Sequence, residues 1–321
     1  MARSASLERR REARPARTGG MRPAARGRAA LAALPFLSPW VAGVACLVAI
    51  PLGLSLYWSF TNYDMLQPPQ WVGASNYVSL VHDPLFRTSV WNTVFMVIIG
   101  APAGIILGLG CALLLRRPIR GSALYRGAIF MPAVVPSVAV AVIFIWIFNP
   151  DYGLLNAGLG LVHVRPQGWL ADPSLAKPSL LILLVWEAVG QIMVLMLAGL
   201  AEIPGELYEA ASLDGARGWQ RLRFITLPLL SPVLFYSFIV WIIFYLQFFT
   251  EAFVATASNL GAPVNSTLFY SIYLYESAFS FLKMGYASAM AWILFVVTMI
   301  ITVVLFRLQR RFVFYRGEQH A

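Results

Sequence analysis

Long apolar runs alternate with short polar stretches along almost the whole chain. A helix needs roughly 20 apolar residues to cross about 30 Å of hydrocarbon, and six runs meet that length: 36–58, 92–115, 127–148, 179–201, 229–254 and 285–306. Only the fourth carries a charge near its middle, Glu187. The stretch from Ala252 to Tyr275 is also uncharged, but Asn259, Gly261, Pro263 and Asn265 interrupt it, and it reads as an outer loop. The pattern predicts an all-α, polytopic membrane protein with six transmembrane helices.

Composition agrees with the pattern and charge orients it. Apolar residues make up 59% of the chain and charged residues 12%, a balance foreign to soluble domains. With six spans, the N-terminus, the 116–126 loop, the 202–228 loop and the C-terminus lie on one side and hold twenty of the 24 Lys and Arg residues. The other side holds Arg87, Arg165, Lys177 and Lys283. Basic residues mark the cytoplasmic side, so both termini are expected there. The net charge of +10 is thus a topology signal and gives no ground for a nucleic-acid partner, although a basic juxtamembrane tail suits anionic membrane lipid.

The domain reading follows. Residues 1–30 form a basic cytoplasmic tail expected to be disordered, residues 31–315 the six-helix domain, and residues 316–321 a short C-terminal tail. Arg9-Arg10-Arg11 raises a twin-arginine signal, but no cleavage site follows the first apolar run, and a retained tail fits better. Met21 is an alternative start to Met1. Cys46 and Cys111 both fall inside spans, which argues against a disulfide framework.

Within the hydrophilic 202–228 segment, Pro204 suits a helix start, Glu206 and Glu209 favour its positive end, and Asp214-Gly215 stops it. A short helix over 205–213 is predicted, then a second over 218–225 carrying Arg221 and Arg223, with Pro228 and Pro232 leading back into the membrane. Physical chemistry alone leaves two roles open: a docking device for another protein, or an amphipathic connector on the bilayer surface.

The spacing in this segment carries a resemblance. Glu209-Ala210-Ala211, Gly215 and Ile225-Thr226-Leu227-Pro228 read as E-A-A, three residues, G, nine residues, I, one residue, L-P. This resembles the cytoplasmic loop of ABC importer membrane subunits, which docks on the ATPase subunit. The resemblance implies the type I ABC importer permease fold, a bacterial plasma-membrane location, and docking residues Glu209, Ala210, Ala211, Asp214, Gly215, Ile225, Leu227 and Pro228. It also implies three partners: a second homologous permease, an ATPase dimer that binds ATP and Mg, and an extracellular solute-binding protein.

Other stretches resemble the carbohydrate-uptake branch of these permeases. They are Trp71-Val72-Gly73 with Asn76-Tyr77, Met131-Pro132 with Pro136, Trp146 to Gly153, and Met284 to Ala289. The family's Gly-Gly-Pro after the fifth span is replaced by Leu260-Gly261-Ala262-Pro263, which weakens transfer of a particular substrate.

The chain itself offers no enzyme chemistry. Its two lysines, Lys177 and Lys283, do not follow glycine, which rules out a G-x-x-x-x-G-K-[ST] phosphate loop, so no cofactor is expected in this chain. His82, His163 and His320 show no metal-ligand spacing.

For the solute path, Glu187 and Gln191 lie one turn apart on the fourth span. Glu187 is about eight residues from the outer end, or roughly 12 Å at 1.5 Å per residue, close to the midplane. On the fifth span Phe244, Gln247 and Glu251 are expected to form one stripe beside Tyr245 and Phe248, suited to the apolar and hydroxyl sides of a sugar. The plain alternatives are an interhelical hydrogen bond for Glu187 and simple hydration for Glu251. A ridge of Gly100, Gly104 and Gly108 would let another helix approach closely.

The reading that results is a sugar or oligosaccharide importer permease. An importer of glycerol-3-phosphate or a phosphodiester is the alternative within the class. An ion-coupled secondary transporter or channel is the alternative outside it; such proteins tend to show internal repeats and paired intramembrane charges, and neither is apparent.

Overall fold

The apolar runs fold as helices because hydrocarbon leaves no other partner for backbone N–H and C=O groups. A computed structural model describes residues 35–116, 120–256 and 261–312, with side chains to residue 309. The basic tail, both candidate start methionines, Leu260 and residues 316–321 lie outside the described residues.

Helix α1 spans Pro35–Ser59 and is apolar enough to cross a membrane. Its part up to Ser55 is a unit of its own, in which no residue is buried. The second unit starts at Leu56. It comprises α2 (Ser75–His82), α3 (Pro84–Leu115), α4 (Ser122–Phe130) with a 3₁₀ turn at Met131–Val134, and α5 (Ser137–Ile147). There follow α6 (Leu154–Leu161), α7 (Pro173–Ala201), α8 (Gly205–Leu213) and α9 (Gly218–Arg221). A π turn, Leu222–Thr226, joins α9 to α10 (Leu227–Gln247); α11 (Thr250–Ala255), α12 (Tyr270–Tyr275) and α13 (Met284–Phe312) complete it. Among the described residues there is no strand, only one isolated bridge between Thr61 and Trp71.

Five helices are long and apolar enough to span: α1, α3, α7, the continuous stretch 218–247, and α13. The expected third span, 127–148, is not straight. Its two halves meet at 102°, where Pro132 and Pro136 interrupt the hydrogen-bond ladder. The expected fifth span also ends early. Phe248 is extended (ψ 139°), so α10 stops at Gln247 and Glu251 sits on the separate α11, packed against α5 and α7.

The core lies where α3 runs along α7 and α10. In hydrocarbon, close van der Waals packing takes the place of the hydrophobic drive, and small residues permit it. The glycine ridge serves this purpose. A Cβ on Gly100 would come within 2.5 Å of the Tyr245 ring, and one on Gly108 within 2.5 Å of Ile192. Gly104 faces Ile192 at 3.2 Å.

The end of the bundle where α3 and α7 begin is clipped by polar side chains that reach far along the chain. Asn92, 3% exposed, donates to the carbonyls of Asn265 and Leu268, and its oxygen accepts from Lys177 at 3.1 Å. One amide thereby ties α3, α7 and the 261–268 loop. Asn156 does the same for the segment between α5 and α7, bonding Pro150, Gln167 and Trp169. Asp83 caps α3 through Leu85 N–H and accepts from the hydroxyls of Tyr273 and Tyr286, joining α12 and α13. Burial opposes its charge, but the phenols and backbone N–H groups outweigh that and hold the carboxyl below its ordinary range.

The stretches that carry the carbohydrate-branch resemblance occupy architectural positions. Asn76 donates to the carbonyls of Ser59 and Thr61. Asn149 caps the turn at Asp151 and Tyr152, and a Cβ on Gly153 would strike the Asn149 carbonyl at 2.3 Å. Gly285 donates to the Tyr63 carbonyl and leaves no room for a Cβ beside Thr61.

Candidate functional site

Helix α8 covers 205–213, as Pro204 and Gly215 predict. Pro204 is its N-cap, with extended ψ of 135°, and Glu206 lies in the first turn. The C-terminal stop is a Schellman motif: Gly215 N–H donates to the Ser212 carbonyl and Ala216 N–H to the Ala211 carbonyl. Gly215 takes φ +76°, where a side chain is strained although the space around it is open.

No residue of α8 is buried. Glu209, Ala210, Asp214 and Gly215 are exposed, and Ala211 is half-buried. Beside them, Leu213 is 90%, Trp219 68% and Phe224 69% exposed, which is a large apolar presence for a hydrophilic segment. Ile225, Leu227 and Pro228 are half-buried where this segment enters the spanning helix. The expected second short helix over 218–225 is instead the first turn and π turn of one helix running to Gln247.

The candidate solute residues separate into two groups. Glu187 and Tyr245 turn inward. Ser137 donates to one Glu187 oxygen at 3.1 Å, while the other is buried with no partner among the described residues, as is the Tyr245 hydroxyl. Tyr245 is 0% exposed, its ring filling the notch at Gly100. Glu251 is 4% exposed, against the alternative of simple hydration. Gln191 and Gln247 are exposed, and Phe244 is half-buried. The expected Phe244–Gln247–Glu251 stripe does not exist, because the helix breaks at Phe248. Phe248 leaves that face to pack on Phe269, with ring centroids 4.7 Å apart.

Sequence reasoning missed Ser137 as the partner of Glu187, and Tyr208, whose ring lies under the Arg116 guanidinium at 4.3 Å. A serine at a helix start gives no sign of its partner 50 residues away. Tyr208 directly precedes the Glu-Ala-Ala run and was available as a signal.

Residues 100–314 match the family described as "Binding-protein-dependent transport system inner membrane component". The chain belongs to that family. It is an ABC transporter permease, a transport component whose place is the membrane. It is 37% identical over 292 residues to the probable ABC transporter permease protein YesP of Bacillus subtilis (strain 168), covering 90% of this chain and 94% of that one. It is 34% identical over 264 residues to the lactose transport system permease protein LacF of Rhizobium radiobacter, covering 81% and 87%. Among solved structures it shares its fold with a chain of a bacterial alginate ABC transporter, crystallised with an alginate pentasaccharide-bound periplasmic protein. That likeness has TM-score 0.76 at 20% identity, covering 88% of this chain and 96% of that one.

Proposed function

We propose that this permease is one membrane half of an ATP-driven importer that takes a sugar or oligosaccharide from an extracellular binding protein into the cytoplasm. The observation that carries it is α8: a capped helix with no buried residue, presenting Glu209, Ala210 and a nearly bare Leu213 on the loop that bears the family spacing. An ATPase dimer docks there and supplies ATP and Mg, and a second homologous permease completes the membrane part. The lactose and alginate relatives favour a carbohydrate as solute.

Solute passes beside Glu187 and Tyr245, whose unpaired oxygens can bond hydroxyl groups. Gln191, Phe244, Gln247 and Glu251 remain in the proposal as residues of the same two regions, without a shared stripe. Family membership makes the secondary transporter reading unnecessary, and no Arg or Lys lies mid-span to hold an organic phosphate.

In this proposal the bent α4–α5 pair is one span, which gives six, with both termini cytoplasmic, a tail at 1–30 and a docking loop at 202–228. Reporter fusions at Arg120, Trp219 and Arg316 are expected to read cytoplasm, and those at Val81, Val162 and Leu260 outside. A cytoplasmic signal at Leu260 overturns the six-span count. Purification of the tagged chain is expected to bring a second permease and an ATPase pair with it; recovery of this chain alone contradicts the assignment.

A further inference from the structure

We infer that Tyr208 is the positioning residue through which α8 moves α3 and α10 together; this rests on the docking role proposed for α8. Helix α8 is not a rigid continuation of α7. The chain leaves α7 at Ala201 and turns through Glu202, Ile203 and the extended Pro204 before α8 begins. Something lateral must therefore fix its orientation.

Within α8, Tyr208 is the residue that packs on the apolar core. Its ring face lies under Arg116, the C-cap of α3, with the guanidinium carbon 4.3 Å from the centroid. A guanidinium over an aromatic face is held by the ring quadrupole, and more strongly as water is excluded.

The hydroxyl of the same side chain reaches the other helix. It lies 3.0 Å from Thr226 Oγ1, in the π turn that opens α10. Thr226 is 3% exposed, and its Oγ1 has one proton, which points to the Arg221 carbonyl at 3.2 Å. The Tyr208 hydroxyl is therefore the donor. A second tie runs parallel: Ser212 Oγ donates to the Tyr208 carbonyl and accepts from the Arg221 guanidinium at 3.1 Å.

A push on α8 thus reaches two spans through one ring. The π turn is a fitting receiver, since such wide turns inside helices often mark functional sites. The Arg116 contact hands the same displacement to α3, which packs along α7 and α10. A residue that merely filled space would not need both a cation on its face and a directed hydroxyl.

The test uses the full importer, with partner permease, ATPase and binding protein, in sealed vesicles, and reads uptake per ATP hydrolysed. R116Q is expected to keep the ATPase bound and hydrolysing while uptake per ATP falls about tenfold, and Y208L, which loses both links, to do the same with a fall of about thirtyfold. Y208F, which loses only the hydroxyl bond, is expected to fall about threefold, T226V, which also loses the Thr226 bond to the Arg221 carbonyl, by at least as much, and R116K to recover most of the R116Q loss. The R116Q/Y208F pair is expected to match Y208L, because both remove the same two links.

Should Y208L not assemble, R116Q, T226V and Y208F decide. Uptake per ATP within about twofold of wild type in all three overturns the positioning role, since losses on this scale should exceed that. Failure of the docking reading shows differently: the ATPase is absent from the unaltered complex, or E209K transports normally. Either result overturns both proposals, whatever the Tyr208 variants do.

Discussion

Gly215→Val is expected to abolish uptake while the subunit still inserts in the membrane, and Glu209→Lys to do the same. Gly215 closes α8 at φ +76°, a conformation that costs a side-chain residue about 1–2 kcal/mol. No atom lies within 4 Å of its missing Cβ, so the cost is confined to the backbone. That is small beside the packing of α3, α7 and α10, and large for the last turn of an exposed nine-residue helix. The turn opens, the carbonyls of Ala211 and Ser212 lose their N–H partners, and the Glu209–Ala210–Leu213 face loses its shape. Gly215→Ala meets the same strain with less bulk and retains part of the activity. Glu209→Lys leaves the fold alone, because Glu209 is exposed, and reverses the charge offered to the ATPase. Solute-stimulated ATP hydrolysis and uptake are the readouts. Normal values in both variants remove the docking role from this loop.

Glu187→Leu is expected to lower uptake per assembled complex by about tenfold or more, against a partial loss for Glu187→Gln. The carboxylate accepts from Ser137 through one oxygen and keeps the other unpaired in the interior. Glutamine preserves the Ser137 acceptor and still bonds a sugar hydroxyl; leucine removes both and strands the serine. A phosphorylated solute reverses the pattern, since a carboxylate repels it and Glu187→Gln then raises transport. A purely structural Glu187 gives a third result: both variants lose assembly and thermal stability, with uptake per assembled complex unchanged. Uptake normalised to assembled complex separates the three.

Features set by local chemistry were legible in the sequence. Apolar runs of sufficient length located the spanning helices, and Pro204 and Gly215 bounded α8 at the residues the structure shows. The glycine ridge announced a close approach, and Tyr245 and Ile192 fill it. Features set by distant partners were not legible. Nothing near Asn92 reveals that its amide clips a loop 173 residues away, nor near Asp83 that a phenol 203 residues on will bond it. The end of α10 also escaped, because no Gly or Pro marks it. Phe248 and Phe249 stop the helix by packing on Phe269, Phe253 and Tyr275, and that preference exists only once those rings are in place. The candidate stripe failed for this reason, while Glu187 and Gln191 share one continuous helix. Pro132 and Pro136 did carry a signal for the bend in the third apolar run, but length alone read it as straight.

ATP dependence tests the account most directly. The purified complex is sealed into vesicles with its binding protein, and entry of a radiolabelled oligosaccharide is followed with and without ATP-Mg on the cytoplasmic side. Uptake that requires both ATP and the binding protein, and that Glu209→Lys removes, is the predicted result. Uptake that proceeds without ATP on an imposed ion gradient contradicts it.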